Sequence, residues 1–263
     1  MTDEIDLDSM FGKVEDDKEF RERYGEQIGA GMAAVIYARD GIVAKVFRDT
    51  KLPSEAFQEA YAMSVINELK VPAPKVYGVE TFHNRTVLLM DQLKGISLLD
   101  VMLKDRNKAP ECMDTIVRLQ VEMHKMLLLG YTALKSKQKA MIIGSPGLSP
   151  EEKEKLLGML DKLPDGNNLC HGDFHGGNIL CEGDSCLIID WVEASSGDPA
   201  ADACRSYMDY FIGGYGFEEL YLEKYCSATG RSRDEILAWL PVIAGAVYGY
   251  LSPAAQAYVR PLF

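Results

Sequence analysis

The sequence predicts an α+β protein of two lobes: a small N-terminal lobe on an antiparallel sheet and a larger, mostly helical C-terminal lobe. Three observations carry this. Up to about residue 90, short apolar runs alternate with glycine-centred turns around a single helix. Beyond residue 96, apolar residues recur mostly at helical spacing. Between 169 and 191 that pattern breaks into a polar, glycine-rich loop followed by an apolar hairpin. The division that follows is 1–90 for the first lobe, 91–95 for a connector and 96–263 for the second lobe.

Residues 1 to about 20 form an acidic, weakly patterned leader, either without order or supplying a first short strand. Residues 24–38 read as strand, glycine turn and strand. Arg39-Asp40-Gly41 is a tight turn, and Ile42–Phe47 is the next strand. A helix is expected over Pro53–Leu69, with Ser54 as its cap and Phe57, Tyr61, Val65 and Leu69 at helical spacing. Two short strands, Val76–Val79 and Thr86–Met90, flank a turn at His83-Asn84-Arg85. In the second lobe, helices are expected over Ser97–Leu103, Cys112–Leu129 and Pro150–Leu163, the last with Ser149 as cap and Pro150 in the first turn. From about residue 200 onward the chain reads as helical, with breaks at Gly213–Gly216 and Ser252-Pro253.

Composition narrows the function. The formal net charge is −12 and the pI about 4.9, which disfavours nucleic acid, because phosphate contacts need a basic surface. The first residues are acidic and lack the apolar core of a signal peptide. No apolar run reaches membrane-spanning length; the nearest, Ile236–Tyr250, contains Pro241 and reads as a buried helix. A cytoplasmic protein is expected, with no nucleic acid and no membrane as partner; the oligomeric state is left open. The six cysteines form no paired framework and are expected as free thiols. Cys170, His171, His175, Cys181 and Cys186 cluster in sequence, but their spacing matches no common zinc pattern.

The strongest signal is His171-Gly172-Asp173-Phe174-His175-Gly176-Gly177-Asn178, followed by Leu187-Ile188-Ile189-Asp190-Trp191. A hairpin turning at Gly183-Asp184 separates Asn178 from Asp190. An amide oxygen and a carboxylate at the two ends of one hairpin suit a hard cation such as magnesium, which takes oxygen ligands and shares them with phosphates. Asp-x4-Asn followed by an apolar-apolar-Asp strand is the arrangement of kinases.

At these residues the sequence resembles the aminoglycoside phosphotransferase and choline kinase superfamily, which has a protein-kinase-like fold. The resemblance implies a small-molecule kinase that moves the γ-phosphate of ATP or GTP to a hydroxyl, with Mg2+. It implies that Asp173 is the catalytic base or orients the acceptor hydroxyl, and that Asn178 and Asp190 hold the metal. His175 falls where protein kinases place a lysine that touches the transferred phosphate, and His171 braces the loop. Gly29 and Gly31, between two strands, form part of a phosphate loop whose third glycine is replaced by Ala34. Lys45 is implied at the α- and β-phosphates, with Glu59 as its partner and Glu55 as the runner-up. Asp91 and Leu93 lie in the hinge that reads the nucleobase. Gly197-Asp198-Pro199-Ala200-Ala201-Asp202 is a further match: Asp202 is expected to cap a helix and fasten the catalytic loop, and Asp198 could do the same through an Asx-turn.

Only Val192–Ser196 separate Asp190-Trp191 from that last motif, which leaves no room for the activation segment that docks a peptide. A small acceptor is therefore expected. The C-terminal helices are rich in carboxylates and tyrosines, which suit ammonium groups. Glu193, Glu218 and Glu219 are the candidate acceptor contacts, and an aminoglycoside-like aminosugar is the first expectation. A choline- or ethanolamine-like metabolite is the alternative, and a nucleotide-binding pseudokinase the alternative of another class.

Overall fold

The computed structural model describes residues 17–31 and 33–263. Most of the expected leader and Met32 of the glycine turn lie outside the described residues, as does the signal-peptide reading of the first residues. The chain divides into two compact units, one ending at Gly95 and joined by Leu180–Val192, the other comprising 96–179 and 193–263. The sequence-based division placed 180–192 in the second lobe.

In the first unit, Asp17–Tyr24 is a helix (α1) where a leader or short strand was expected. Phe20 and Tyr24, one turn apart, supply the reason: they lie on one face and are buried in a cluster with Val35, Tyr37, Val46 and Val87. Five strands follow: β1 (Glu26–Ala30), β2 (Ala34–Arg39), β3 (Ile42–Phe47), β4 (Val76–Phe82) and β5 (Arg85–Asp91). All pairings are antiparallel, in the order β1-β2-β3-β5-β4. Two-residue turns set the register. Asp40 and Gly41 both have positive φ, as do His83 and Asn84. That backbone twist matches the twist of the flanking strands.

The helix α2 spans Pro53–Glu68, and its cap is Leu52, not Ser54. Proline holds the preceding residue extended, so the helix starts at Pro53, and the Glu55 carboxylate accepts from the Leu52 amide at 3.0 Å. The buried face is Ala56, Glu59, Ala62, Met63 and Ile66. Phe57 and Tyr61, from the apolar series at four-residue spacing, are exposed. Small residues let the helix lie close to the sheet. Met63 and Ile66 supply the larger burial, roughly 1.5–3 kcal/mol each.

The hairpin 179–188 turns at Gly183-Asp184 as expected. Cys181 and Cys186 face each other across it, with Cα atoms 4.1 Å apart, and are joined by a disulfide, which corrects the expectation that all six cysteines are free. The other four are thiols. Gly95, the last connector residue, packs on this hairpin: a Cβ there would lie 2.7 Å from the Cys181 carbonyl oxygen.

The second unit is helical: α3 (Leu98–Lys104), α4 (Ala109–His124), α5 (Leu134–Gly144), α6 (Pro150–Lys162), α7 (Pro199–Ile212), α8 (Glu218–Thr229), α9 (Arg233–Leu237), α10 (Leu240–Tyr248) and α11 (Pro253–Val259). Ser97 caps α3, and Ser149 caps α6 in a reciprocal arrangement with Glu152. Helix α4 starts earlier than expected because Pro110 fits a first turn. It ends earlier because the amide of Leu128 bonds the Asn167 carbonyl, and that of Leu169 bonds Met126. Helix α5 was not foreseen. It has no capping side chain, and its Leu-Lys-Ser-Lys-Gln-Lys start has little apolar period. Helix α10 packs on α5, α6 and α7. Gly245 permits this approach, since a Cβ there would lie 2.3 Å from Leu156. No described helix is long and apolar enough to cross a membrane.

Candidate active site

In the helical unit the loop 171–178 is built around Asp173. The strand Asn168–Cys170 delivers it, paired with Ser195–Gly197. Gly172 takes positive φ, and a Cβ there would meet the Glu193 carbonyl at 2.6 Å, so glycine is required. Asp198 caps α7 by accepting from the Ala200 amide, which corrects the cap expected at Asp202. Asp202, fully buried, accepts from the Gly172 amide at 2.6 Å and so holds the loop from behind. Its other oxygen lies 2.9 Å from His124 Nε2 and 3.2 Å from Gln120 Nε2. Tyr221 and Tyr225 complete this buried network through Gln120 and His124. Burial alone would raise the Asp202 pKa; hydrogen bonding and charge from His124 outweigh it and hold the carboxyl below its ordinary range.

Three side chains surround the Asp173 carboxylate. Arg205 Nη2 donates to Oδ1 at 2.8 Å, Asn178 Nδ2 donates to Oδ2 at 3.0 Å, and His175 Nε2 lies 3.7 Å from Oδ2. Burial pushes this carboxyl up, yet His175 and Arg205 overcome it and keep Asp173 ionised well below the usual carboxylate range. His171 is fully buried, and its Nδ1 accepts from the Asp173 amide at 3.2 Å. His175 Nδ1 accepts from the Gly177 amide at 3.0 Å, which leaves Nε2 facing Asp173.

Arg205 was missed at the sequence level. Its Nε also donates to Asp209 Oδ1 at 2.8 Å. Asp202, Arg205 and Asp209 sit at i, i+3 and i+7 on α7, one helical face, and that spacing after the Gly-Asp-Pro motif was the available signal. The second Asp209 oxygen, Oδ2, is buried with no hydrogen-bond partner.

The sheet unit carries the other predicted residues. Lys45 lies on β3, almost buried, with Nζ 2.7 and 2.8 Å from the two Glu59 oxygens and 3.5 Å from Asp190 Oδ1. Burial alone would favour the neutral amine; the Glu59 carboxylate, with Asp190, raises its pKa instead. Glu55 is engaged elsewhere, with Lys51 at 3.0 Å. Asp190 has φ 64°, a conformation that costs a non-glycine residue about 1–3 kcal/mol. Its carboxylate is 44% exposed.

Gly29 sits at a bulge in β1, and Gly31 follows the strand, its carbonyl accepting from buried Arg48 Nε at 2.9 Å. A Cβ at Gly31 would meet nothing within 4 Å, so a ligand can approach that backbone. Asp91 ends β5; its amide bonds the Lys75 carbonyl, and its carboxylate accepts from the Lys75 amide and the Tyr77 hydroxyl. Leu93 lies in the irregular stretch beyond it.

Each candidate donor, taken by itself, is of a kind that magnesium takes. Asn178 spends its Nδ2 on Asp173, so the oxygen is the atom left for a ligand. Asp190 offers a half-exposed carboxylate. Among the described residues no three His, Cys, Asp or Glu side chains gather into a metal cage. Magnesium needs none, because it is bound by one or two protein oxygens together with phosphates and water.

The three candidate acceptor carboxylates differ in their surroundings. Glu193 pairs with Lys137 at 3.2 Å. Glu219 is exposed and bonded to Arg233 and Tyr207. Glu218 opens α8, and its Oε2 is buried without a partner. A recess of about 240 Å³ in the helical unit is lined instead by His175, Arg205, Asp209, Tyr210, Tyr215 and apolar residues of α7, α10 and the turn after it.

Residues 25–237 match the model of the phosphotransferase enzyme family that includes the aminoglycoside phosphotransferases, and the chain belongs to that family. No curated protein matches the sequence. Among solved structures, the chain is similar to a thermostable mutant of aminoglycoside phosphotransferase APH(4)-Ia in a ternary complex with AMP-PNP and hygromycin B. The identity is 13% and the TM-score 0.71, covering 95% of this chain and 96% of that one. It is also similar to choline kinase LicA from Streptococcus pneumoniae, at 15% identity and TM-score 0.64, covering 93% and 95%. A third is aminoglycoside phosphotransferase APH(3'')-Id from Streptomyces rimosus, at 15% identity and TM-score 0.59, covering 84% and 92%. The chain therefore has the kinase-like fold of these enzymes and is a phosphotransferase acting on hydroxyl groups of small molecules.

Proposed function

We propose that the chain transfers the γ-phosphate of ATP to a hydroxyl of a small, cationic acceptor, with an aminoglycoside-like aminosugar as the first candidate. The observation that carries this reading is the Asp173 site. Its carboxylate is held ionised and fixed on both oxygens, as a base or orienter needs to be. In this reading the acceptor hydroxyl approaches Asp173, which takes or directs its proton as the oxygen attacks. Lys45, fixed by Glu59, binds the α- and β-phosphates, and the backbone at Gly29 and Gly31 covers them. The hinge at Asp91 and Leu93 contacts the nucleobase, through Leu93 and the Asp91 carbonyl, since the Asp91 amide is engaged. Asn178 and Asp190 hold magnesium, which neutralises developing charge on the phosphates. His175 contacts the transferred group through Nε2.

ATP is favoured over GTP by the AMP-PNP complex of a structural relative. The acceptor is less constrained. The net charge of −12 supports a cation, with Glu193, Glu218 and Glu219 as the first contacts. The likeness to a choline kinase supports an amino alcohol as second candidate. The pseudokinase reading has no observation in its favour, since every catalytic residue type is present. A screen of aminoglycosides, amino alcohols and sugars, read by ADP release with ATP and magnesium, tests the reading. Acceptor-dependent ADP release is expected. Nucleotide binding without turnover on any hydroxyl compound would overturn it in favour of the pseudokinase.

A further inference from the structure

The loop 171–178 is fastened to α7 at more than one point, and the fastenings act on different parts of it. Asp202 holds the Gly172 amide, and Arg205 holds the Asp173 carboxylate. Both fix the first half of the loop, where Asp173 sits. The second half ends in a single 3-10 turn, Gly176–Asn178. This turn is held by Tyr210, whose hydroxyl accepts from the Gly176 amide at 2.9 Å. Tyr210 is fully buried, and its ring is seated against Phe217 and Tyr221, with ring centroids 6.3 and 5.8 Å away. A ring enclosed in a close-packed interior has little freedom, so its hydroxyl is a fixed point for the amide it binds.

The geometry of the turn carries that fixed point to Asn178. Gly176 is also seated against α3, since a Cβ there would lie 2.9 Å from the Leu99 amide nitrogen. The turn is thus located by α3 and by Tyr210 together. It is only three residues long, and the Asn178 amide bonds the His175 carbonyl at 2.9 Å, so a displacement at Gly176 is passed on to Asn178. The Asn178 side chain donates to the Asp173 carbonyl at 2.8 Å and to its carboxylate at 3.0 Å. Those bonds orient the amide group, while Gly176 sets where the turn stands. A buried N–H without an acceptor is unfavourable. Without the Tyr210 oxygen, the Gly176 amide either stays unpaired or turns toward water, and turning it moves Asn178.

We propose that Tyr210 is a positioning residue: through the Gly176 amide it places the Asn178 oxygen for magnesium, while Asp202 and Arg205 place Asp173. The inference rests on the kinase reading, in which Asn178 is a metal ligand. It divides α7 by task. The first two turns of the helix serve the carboxylate that handles the proton, and its last turn serves the metal.

The test is a magnesium titration of AMP-PNP binding, followed by calorimetry, for the full chain, Tyr210→Phe and Tyr248→Phe. Tyr210→Phe removes one oxygen and keeps the ring. Tyr248→Phe is the control, because that hydroxyl accepts from Arg260 at 2.9 Å and not from the loop. Changing a group that orients a metal ligand weakens metal affinity by about 10- to 100-fold. Tyr210 acts through the backbone, so the lower end applies: the half-saturating magnesium concentration should rise about tenfold in Tyr210→Phe. AMP-PNP affinity in EDTA should not change. In Tyr248→Phe neither quantity should change, although both variants should lower the melting temperature. An unchanged magnesium requirement in Tyr210→Phe overturns the inference and leaves Tyr210 a stabilising contact only. An equal rise in both variants also overturns it, because general loosening then accounts for the shift. Either result leaves the kinase reading standing. A full chain that binds AMP-PNP equally in magnesium and in EDTA, or not at all, overturns the reading of Asn178 as a ligand and this inference with it. If Tyr210→Phe does not fold, Gly176→Ala pushes the same turn from the α3 side with the tyrosine in place. The same rise in magnesium requirement is expected, and its absence overturns the inference.

Discussion

Each unit buries an ion cluster, and the two are finished differently. In the sheet unit, Lys45 and Glu59 close on each other with two short contacts, and only a longer one reaches Asp190. In the helical unit, Arg205 bridges two carboxylates, fixing Asp173 and leaving one Asp209 oxygen unpaired. A closed pair positions a charge without adding demand for a ligand. An open cluster positions a charge and leaves one buried oxygen unsatisfied. In the proposed reading the sheet cluster holds a cation in place for phosphates, and the helical cluster fixes the carboxylate that does the chemistry.

The largest effect expected from breaking this pattern is at Asp173. Asp173→Asn keeps the shape and the room for Arg205 but removes the charge that takes or orients the proton. Transfer should fall by roughly 10²–10⁴, while nucleotide binding, which in the proposed reading rests on Lys45, Asn178 and Asp190, persists. Single-turnover rates and nucleotide affinity measured side by side check this, and retained turnover would take Asp173 out of the mechanism.

Next is the closed pair. Lys45→Ala leaves Glu59 buried without its cation, and truncating one partner of such a pair costs about 3–5 kcal/mol. The melting temperature should drop, and nucleotide affinity with it. The double replacement Lys45→Met with Glu59→Leu should recover much of the stability but none of the affinity. Equal stability of single and double variants would show that the pair is not electrostatically closed.

These two clusters also measure how far the sequence could be read. Asp173, Asn178 and Asp190 stood out because short spacing ties them into one stretch, whereas Lys45 stood out as a lysine flanked by apolar residues on a strand, and the structure pairs it with Glu59. The strands were legible for a related reason: two-residue turns with positive φ force the register locally. What was not legible depended on packing. The buried face of α2 is made of Ala56, Ala62, Met63 and Ile66, while the more apolar-looking Phe57 and Tyr61 point to water. The Cys181–Cys186 bridge needed the hairpin to place two thiols opposite each other. Arg205 had only its helical spacing from Asp202 and Asp209 as a signal. Its importance appears only when α7 is laid against the catalytic loop, and the same packing shows which carboxylates of the C-terminal helices are already paired.

A third, smaller effect concerns the metal. Asp190 combines a strained backbone with a half-exposed carboxylate. Removing it should cost roughly tenfold or more in nucleotide affinity, about 1.4 kcal/mol, and should abolish the difference in affinity between magnesium and EDTA. Lys45→Ala should weaken binding yet keep that difference. Equal nucleotide binding of the unaltered chain in magnesium and in EDTA would remove Asn178 and Asp190 as ligands.

The smallest effect sharpens the contrast between Asp173 and Asp209, two carboxylates on one arginine. Burial pushes Asp209 up to about 6; Arg205 opposes the shift, and Asp173 adds to it. The groups that face it are Arg205, Asp173 and His175. Asp173 is held below the usual range by His175 and Arg205 despite its burial, so it stays ionised across the same interval. As pH falls from 7 to 5, Asp209 therefore takes up a proton and Asp173 does not. The folded pKa of Asp209 lies above the ordinary carboxylate value, so the folded chain binds this proton more tightly than the unfolded one. The stability that Asp209 contributes should therefore grow by about 1 kcal/mol as pH falls from 7 to 5, and be lost again as pH rises through 6. His175, whose burial is outweighed by Asp173 so that its pKa is raised, titrates alongside it. Asp209→Asn has no carboxyl to titrate, so the difference in unfolding free energy between the two proteins, measured by urea at pH 7, 6 and 5, isolates the Asp209 share. The same pH dependence in both would show that Asp209 is not held as a buried carboxyl beside Arg205.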